Sequence, residues 1–515
     1  LSYFIVPFFL YGQYRNFSVW DPIWKFDSWG LKQIVIWFLN GDLFDFGRLP
    51  ILTYAVIFGL LKGIGKLLDE RRDIFPYLCM LFLVYSILFL GRTTLGGLID
   101  LIPGFSEYHL HRIVVMVQFV GLYVGTWFVY SIIKQLDIIF FTLSGSPVRR
   151  TSDDIPKKLK IGIFAALVLL TPFLLYYFEK PVMKYAQENN DMIVKSNKAY
   201  QIDLPHYGRI KAKLNALPRA RLYVGKPGNW GRLFTVGQTP VYMALSQDGY
   251  SVIGFLPESW SPNSDPEQFF NENNLDFYKL YNVGYSILPD TVTPPSFAKL
   301  VVKEGKYSLY KMPLEGWFTV GKSTVLVRSK KTDLLTMTRL WFGSNFLREG
   351  NYPTIELKKS VSKIPSSNWV DTRWQIQITE SNNYVNLNDR IERNIWNADP
   401  FNKTHTVVLP TGIQKLSEET LPNGYKARLM IKEECKGCIL ILKQSFHPNW
   451  QVKINGQRVN SFPVFPFYIG IPLKNQGSIN IVATYKVNPL KIVLVGVALI
   501  GVGGYFIRFF LAQTK

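Results

Sequence analysis

The segment Gly91-Arg92-Thr93-Thr94-Leu95-Gly96-Gly97-Leu98-Ile99-Asp100-Leu101-Ile102-Pro103-Gly104-Phe105-Ser106-Glu107-Tyr108-His109-Leu110-His111-Arg112 places two histidines, two arginines, an aspartate and a glutamate between long apolar runs. Charged groups this near lipid are costly, so their concentration marks a functional site. In Tyr108-His109-Leu110-His111-Arg112 the arginine offers a planar fork for a phosphate, and His109 and His111 offer ring nitrogens beside it. The same residues suit a plainer role, with Arg112 reaching lipid phosphates and the histidines lying in the interface. A second group comes earlier: Asp21, Asp27, Asp42, Asp45 and Arg48 stand among Trp20, Trp24 and Trp29. A carboxylate can take the proton of a sugar hydroxyl and an indole face can stack on a pyranose. Tryptophan is also the ordinary residue of a membrane interface.

The elements that must position these groups are long and apolar. The 515 residues are 48% hydrophobic and 15% aromatic, with a mean hydropathy of +0.08, a balance that implies membrane and soluble parts in one chain. Runs near the length of a bilayer crossing are Leu1–Tyr11, Leu49–Ile64, Ile74–Leu90, Ile113–Ile133, Ile161–Phe178 and Leu490–Leu511. Leu31–Leu39 is too short to cross and is expected to lie in the interface. Leu1–Tyr11 has neither a charged leader nor a small-residue cleavage site, so the chain is expected to continue upstream of it.

The net charge of +21 collects beside the apolar runs rather than in one patch, which argues for lipid and topology and against nucleic acid. Lys62, Lys66, Arg71 and Arg72 fill one connection; Arg149, Arg150, Lys157, Lys158 and Lys160 fill another. Both read as cytoplasmic. Alternation then puts residues 12–48, 91–112 and 179–489 outside the plasma membrane of a multi-pass protein.

The expected division is a helical transmembrane domain at 1–178, an exterior α/β region at 179–315, an exterior β-sandwich-like domain at 316–488 and a closing transmembrane helix at 489–515. Lys180–Leu217 reads as helix. Asp265–Tyr281 reads as a second helix, with Asp265 as cap and Pro266 at its first position. Beyond Gly316 the pattern is almost entirely strand-like, at Trp317–Gly321, Ser323–Arg328, Trp374–Ile378, Thr404–Leu409, Ala427–Ile431 and Ile439–Lys443. Trp450–Val459 alternates around Asn455-Gly456, the signature of a type I′ hairpin. Ser478–Tyr485 is a last strand feeding the final apolar run.

Other motifs carry less. Gly225-Lys226-Pro227-Gly228-Asn229-Trp230-Gly231 lacks the spacing of a nucleotide loop and reads as a turn. Cys79 sits in an apolar run, and Cys435-Lys436-Gly437-Cys438 is a turn holding a local disulfide or two thiols. Asn16 and Asn402 head glycosylation sequons. Five scattered histidines supply no three-His zinc set.

Two stretches carry a family resemblance. Asn40-Gly41-Asp42-Leu43-Phe44-Asp45-Phe46-Gly47-Arg48-Leu49-Pro50-Ile51-Leu52-Thr53, with Ile102-Pro103 and His111-Arg112, looks like the multispanning domain labelled 6-pyruvoyl-tetrahydropterin synthase-related. Tyr281-Asn282-Val283-Gly284-Tyr285-Ser286-Ile287-Leu288, with Ser445-Phe446-His447-Pro448-Asn449-Trp450 and Ile454-Asn455-Gly456-Gln457-Arg458-Val459, resembles the exterior half of YfhO-like membrane proteins. Both groups are similar to the GT-C class of glycosyltransferases.

That resemblance implies a polyprenyl-phosphate sugar as donor, a glycan or glycolipid acceptor, room for a divalent metal and catalysis at the outer face. It also implies an acidic base or metal ligand in the first exterior loop and a basic phosphate-holding residue in a later one. By position His111 and Arg112, with His109 beside them, match the second role. Asp42 and Asp45 are candidates for the first, which is expected to fall mainly upstream of Leu1. The rival expectation is a non-catalytic envelope protein whose sandwich binds carbohydrate or a protein partner. A transporter is disfavoured because the apolar runs hold little charge to line a path.

Overall fold

A computed structural model describes residues 2–16, 22–46, 48–66, 74–105, 108–143, 157–254, 261–329, 331–357, 374–377, 412–433, 437–473 and 476–513. They form two compact units: a helical one at residues 21–194, and a β-rich one made of residues 1–20 and 195–515. The helix Lys157–Asn215 belongs partly to each.

The helical unit contains Ile23–Asp27, Gly30–Leu39, Ile51–Lys66, Phe75–Leu95 and Val114–Leu143. Phe75, Cys79, Phe82, Phe89, Val117 and Val124 form its interior, while Tyr77, Val84, Ile87, Val115 and Phe119 stay exposed, as side chains facing lipid would. Small residues let the helices close up. A Cβ on Gly59 would stand 2.6 Å from the Val124 carbonyl oxygen, and one on Gly63 would stand 2.2 Å from Cys79 Sγ. This Gly-x-x-x-Gly spacing puts two glycines on one helix face, where backbones can approach. Phe75 stacks on Trp127 at 3.6 Å. Lys62 turns its ammonium to the Ser131 hydroxyl at 3.0 Å.

Among the described residues three stretches are long and apolar enough to cross a membrane: Phe75–Leu101, Leu110–Gln135 and Pro489–Ala512. Of the six runs expected, Leu49–Ile64 forms the shorter apolar helix Ile51–Gly65. Leu1–Tyr11 forms Ser2–Leu10, and Ile161–Phe178 lies within Lys157–Asn215. Arg71, Arg72, Arg149 and Arg150 lie outside the described residues.

In the β-rich unit, β1 (Arg221–Tyr223), β4 (Val283–Leu288), β5 (Lys299–Glu304) and β6 (Tyr307–Lys311) form a sheet in the order β1-β4-β6-β5, and β2 (Thr235–Val236) and β3 (Thr239–Pro240) form a separate pair. Next in the chain come β7 (Phe318–Lys322), β8 (Val325–Ser329), β9 (Thr354–Leu357), β10 (Trp374–Gln377), β11 (Ile413–Leu421), β12 (Gly424–Ile431), β13 (Cys438–Ser445), β14 (Trp450–Ile454), β15 (Gln457–Val459), β16 (Phe462–Val464), β17 (Tyr468–Pro472) and β18 (Gly477–Tyr485). They make a seven-stranded sheet, β10-β8-β9-β16-β17-β13-β7, and a five-stranded sheet, β11-β12-β18-β14-β15. One apolar core joins Ile439 and Ile441 of β13 to Ile479 and Ile481 of β18. From Cys438 to Lys443 every β13 residue is buried, whereas β18 buries alternate residues, so the first is covered on both faces and the second on one.

Two local expectations change. Asp265–Tyr281 is two helices, Ser264–Glu267 and Leu275–Tyr281. The asparagines between them win: Asn274 accepts from the Asp276 amide at 2.9 Å and caps the second helix. The sandwich region is not all strand, because Leu334–Gly343 is helical, with Trp341 fully buried and its Nε1 donating to the Asn351 carbonyl at 2.9 Å. Within the larger sheet β8 runs parallel to both β9 and β10. A parallel neighbour needs a crossover, and Leu334–Gly343 supplies the one from β8 to β9.

The hairpin β14–β15 turns as the sequence implies, with φ of 49° at Asn455 and 84° at Gly456. Cys438 is disulfide-bonded and Cys79 is free and buried. Cys435 and the strand expected at Thr404–Leu409 lie outside the described residues.

Lys443 on β13 is 1% exposed. Its Nζ donates to the Lys279 carbonyl at 2.6 Å and stands 3.4 Å from Glu315 Oε2. Burial pulls its pKa from 10.5 down to about 8, against the opposing pull of Glu315. Between those values the unfolded chain carries the proton and the folded chain does not, so stability rises with pH through that window. The denaturant midpoint of the β-rich unit is expected to increase from pH 8 to pH 10, and Lys443→Met to flatten that increase. Equal pH profiles for the two proteins would refute it.

Candidate functional site

The helix Phe75–Leu95 breaks at Gly91, which takes φ 64° and ψ −168°. The gap admits the turn 27–31. Ser28 Oγ donates to the Phe89 carbonyl at 2.6 Å, Thr93 Oγ1 donates to the Ser28 carbonyl at 2.9 Å, and the Leu31 amide donates to Thr94 Oγ1 at 2.7 Å. Gly91-Arg92-Thr93-Thr94 is thus a docking seam.

Arg92 ties the seam to the segment that follows. Its guanidinium donates to Asp100 Oδ1 at 2.7 and 2.9 Å, to the Phe26 carbonyl at 3.0 Å and to the Phe105 carbonyl, and it stands 3.5 Å from Asp27 Oδ1. Two carboxylates and two carbonyls converge on one planar fork, which only arginine provides.

Behind this knot lies a group of rings. Trp24 and Trp29 stack at 5.3 Å, and His111 meets Trp24 edge-on at 5.1 Å and Trp29 at 6.1 Å. His109 packs on Phe26 at 4.4 Å and lies 5.7 Å from His111. His111 Nδ1 is 2.7 Å from the Lys25 carbonyl oxygen. A carbonyl can only accept, so Nδ1 carries the hydrogen, and in the neutral tautomer of the ring the lone pair lies at Nε2. Arg112 follows in the short turn Leu110–Ile113 and is exposed.

No family model, curated protein or solved structure matches this chain.

The two first-loop carboxylates fare differently. Asp45 is 1% exposed, and its oxygens accept from the Leu52 amide at 2.9 Å, the Thr53 amide at 2.9 Å and the Thr53 hydroxyl at 2.8 Å. It holds the start of Ile51–Lys66, where unpaired amides need an acceptor, and both its oxygens are engaged there. Asp42 is exposed. The carboxylates gathered at the seam are Asp27 and Asp100, and both face Arg92. Among the described residues no group of three or more His, Cys, Asp and Glu side chains is set to hold a metal ion.

Sequence reasoning found His109, His111 and the arginines but not the organising part of Arg92. Its partner Asp27 lies 65 residues away, and only a fold can show such a pair.

Proposed function

We propose that this protein is a membrane glycosyltransferase of the GT-C kind, which moves a sugar from a polyprenyl-phosphate donor to an envelope glycan or glycolipid at the outer face of the plasma membrane. The reading is supported above all by the ring-and-base cluster: two tryptophans, His111 with an oriented imidazole, and Arg112 beside it at the start of a long apolar helix. In the reaction the acceptor oxygen attacks the anomeric carbon, the bond from that carbon to the phosphate oxygen breaks, and the phosphate departs with the electron pair. Arg112 neutralises the leaving phosphate. The acceptor proton passes to the Nε2 lone pair of His111, with the exposed Asp42 as the carboxylate rival for that role. The tryptophan faces hold the sugar.

The experiment is sugar transfer from a radiolabelled polyprenyl-phosphate donor in membranes carrying the full-length protein. Arg112→Ala is expected to lower turnover about 100-fold or more, with Arg112→Lys in between. Undiminished turnover in Arg112→Ala would end the phosphate-holding role. A non-catalytic envelope protein whose exterior sandwich binds carbohydrate or a protein partner is the second reading, and the cleft described next needs no catalysis to serve it.

A further inference from the structure

We infer that the β-rich unit carries a saccharide-binding cleft where the end of the helix Lys157–Asn215 and β1 meet the sandwich. The cleft has a volume of about 900 Å³, within the range of clefts that enclose small organic ligands and larger than one sugar ring needs. One wall comes from Lys211, Asn215 and Tyr250, the other from Trp317, Tyr425 and Gln444.

The walls combine aromatic faces with neutral hydrogen-bonding groups. Trp317 and Tyr425 lie 5.1 Å apart with an interplanar angle of 44°, and Tyr250 and Tyr285 also line the cleft. A half-buried ring such as Tyr425 can cover the C–H face of a pyranose. Gln444 Nε2 donates to the Tyr425 hydroxyl oxygen at 2.7 Å, which leaves the Tyr425 O–H to donate and the Gln444 Oε1 to accept. The Tyr250 hydroxyl donates to Asn215 Oδ1 at 2.7 Å, which leaves the Asn215 NH₂ to donate. Sugar hydroxyls both give and receive hydrogen bonds, so alternating amide and phenol groups match them.

Trp317 is a fixed part of that wall: it is 7% exposed and lines the cleft. The ring itself is held firmly, with the Arg221 guanidinium 5.0 Å over it and its backbone amide donating to Glu418 Oε1 at 2.7 Å.

Charge narrows the class. Lys211 is paired with Asp248 at 2.9 Å, so the two cancel. Arg219 lines the cleft, is exposed and forms no ion pair among the described residues. The cleft therefore suits an oligosaccharide with an acidic sugar over a neutral one of equal length. This site gives the proposed transferase its acceptor hold and rests on that reading for its role, but saccharide binding by the cleft needs no chemistry in the helical unit.

The test is direct binding, by calorimetry and tryptophan fluorescence, of the full chain in nanodiscs to neutral and uronic-acid-containing oligosaccharides of two to six rings. It is run in the Arg112→Ala protein, so that transfer, or its absence, cannot affect the result. Saturable binding is expected, tighter for the acidic oligosaccharides, with Arg219→Ala removing that preference. Tyr425→Phe keeps the ring and deletes the hydroxyl; it is expected to weaken binding about tenfold, and Gln444→Ala, at a half-buried position, to do so by a similar factor. Absence of binding to every oligosaccharide, or binding indifferent to both Tyr425→Phe and Gln444→Ala, would overturn the inference. Failure of transfer by the wild-type protein, with binding intact, would instead sink only the transferase reading.

Discussion

Arg221→Ala is expected to loosen the β-rich unit by about 3–6 kcal/mol, on the basis of two hydrogen bonds from a charged donor at about 1.5–3 kcal/mol each. Arg221 is 9% exposed. Its Nη1 donates to the Tyr281 carbonyl at 2.8 Å and its Nη2 to the Lys443 carbonyl at 2.8 Å, while the guanidinium covers Trp317. One side chain on β1 thereby fastens the four-stranded sheet to β13 of the larger one. Removing it leaves two buried carbonyls without donors and a void beside an indole, so the loss exceeds that of an exposed arginine. Arg221→Lys can reach one carbonyl at most and is expected to recover only part. Hydrogen exchange of the full chain reads the effect, as faster exchange at β1 and β13. Wild-type protection at both strands would contradict it.

The second large effect is Gly91→Ala. A Cβ there would stand 2.1 Å from the Asp27 carbonyl oxygen and 2.7 Å from Ser28 Cβ, and the residue has φ 64°. The left-handed conformation alone costs about 1 kcal/mol or more with a side chain, and the collision with backbone adds about 1–3 kcal/mol. Something must move, and the turn 27–31 is what the glycine admits.

Gly96 separates the two causes. It has φ 57° but nothing within 4 Å of its would-be Cβ, so Gly96→Ala is expected to lose the conformational part only. Gly91→Ala should therefore lower the thermal unfolding temperature of the helical unit well below that of Gly96→Ala. It should also displace Trp29 and the Lys25 carbonyl, and with them the orientation of His111. Equal unfolding temperatures for the two variants would show that the close approach at Gly91 contributes nothing.

The amino-acid order by itself determined the local elements. Hydropathy located the apolar helices, because a run of hydrocarbon side chains is legible without knowing its neighbours. Asn455-Gly456 set the β14–β15 hairpin, since only such residues take positive φ at both turn positions cheaply. The concentration of charge at 91–112 marked the seam before its geometry was known. The broken helix at Asp265–Tyr281 was harder to read, because Asp265-Pro266 and Asn274 are both good helix starts and the sequence does not say which will dominate.

What only the tertiary structure decided is which distant groups meet. Asp45, a plausible base by type, became a helix cap through Leu52 and Thr53, while Arg92 became the hub for Asp27 and Asp100. β8 found parallel partners in β9 and β10, a direction its strand pattern does not encode. The cleft draws on residues from Lys211 to Gln444, which no motif connects. A side chain's type fixes what it can bond to, but its partner depends on packing that brings together residues dozens or hundreds of positions apart, and that information is held in the assembled core rather than in any one stretch.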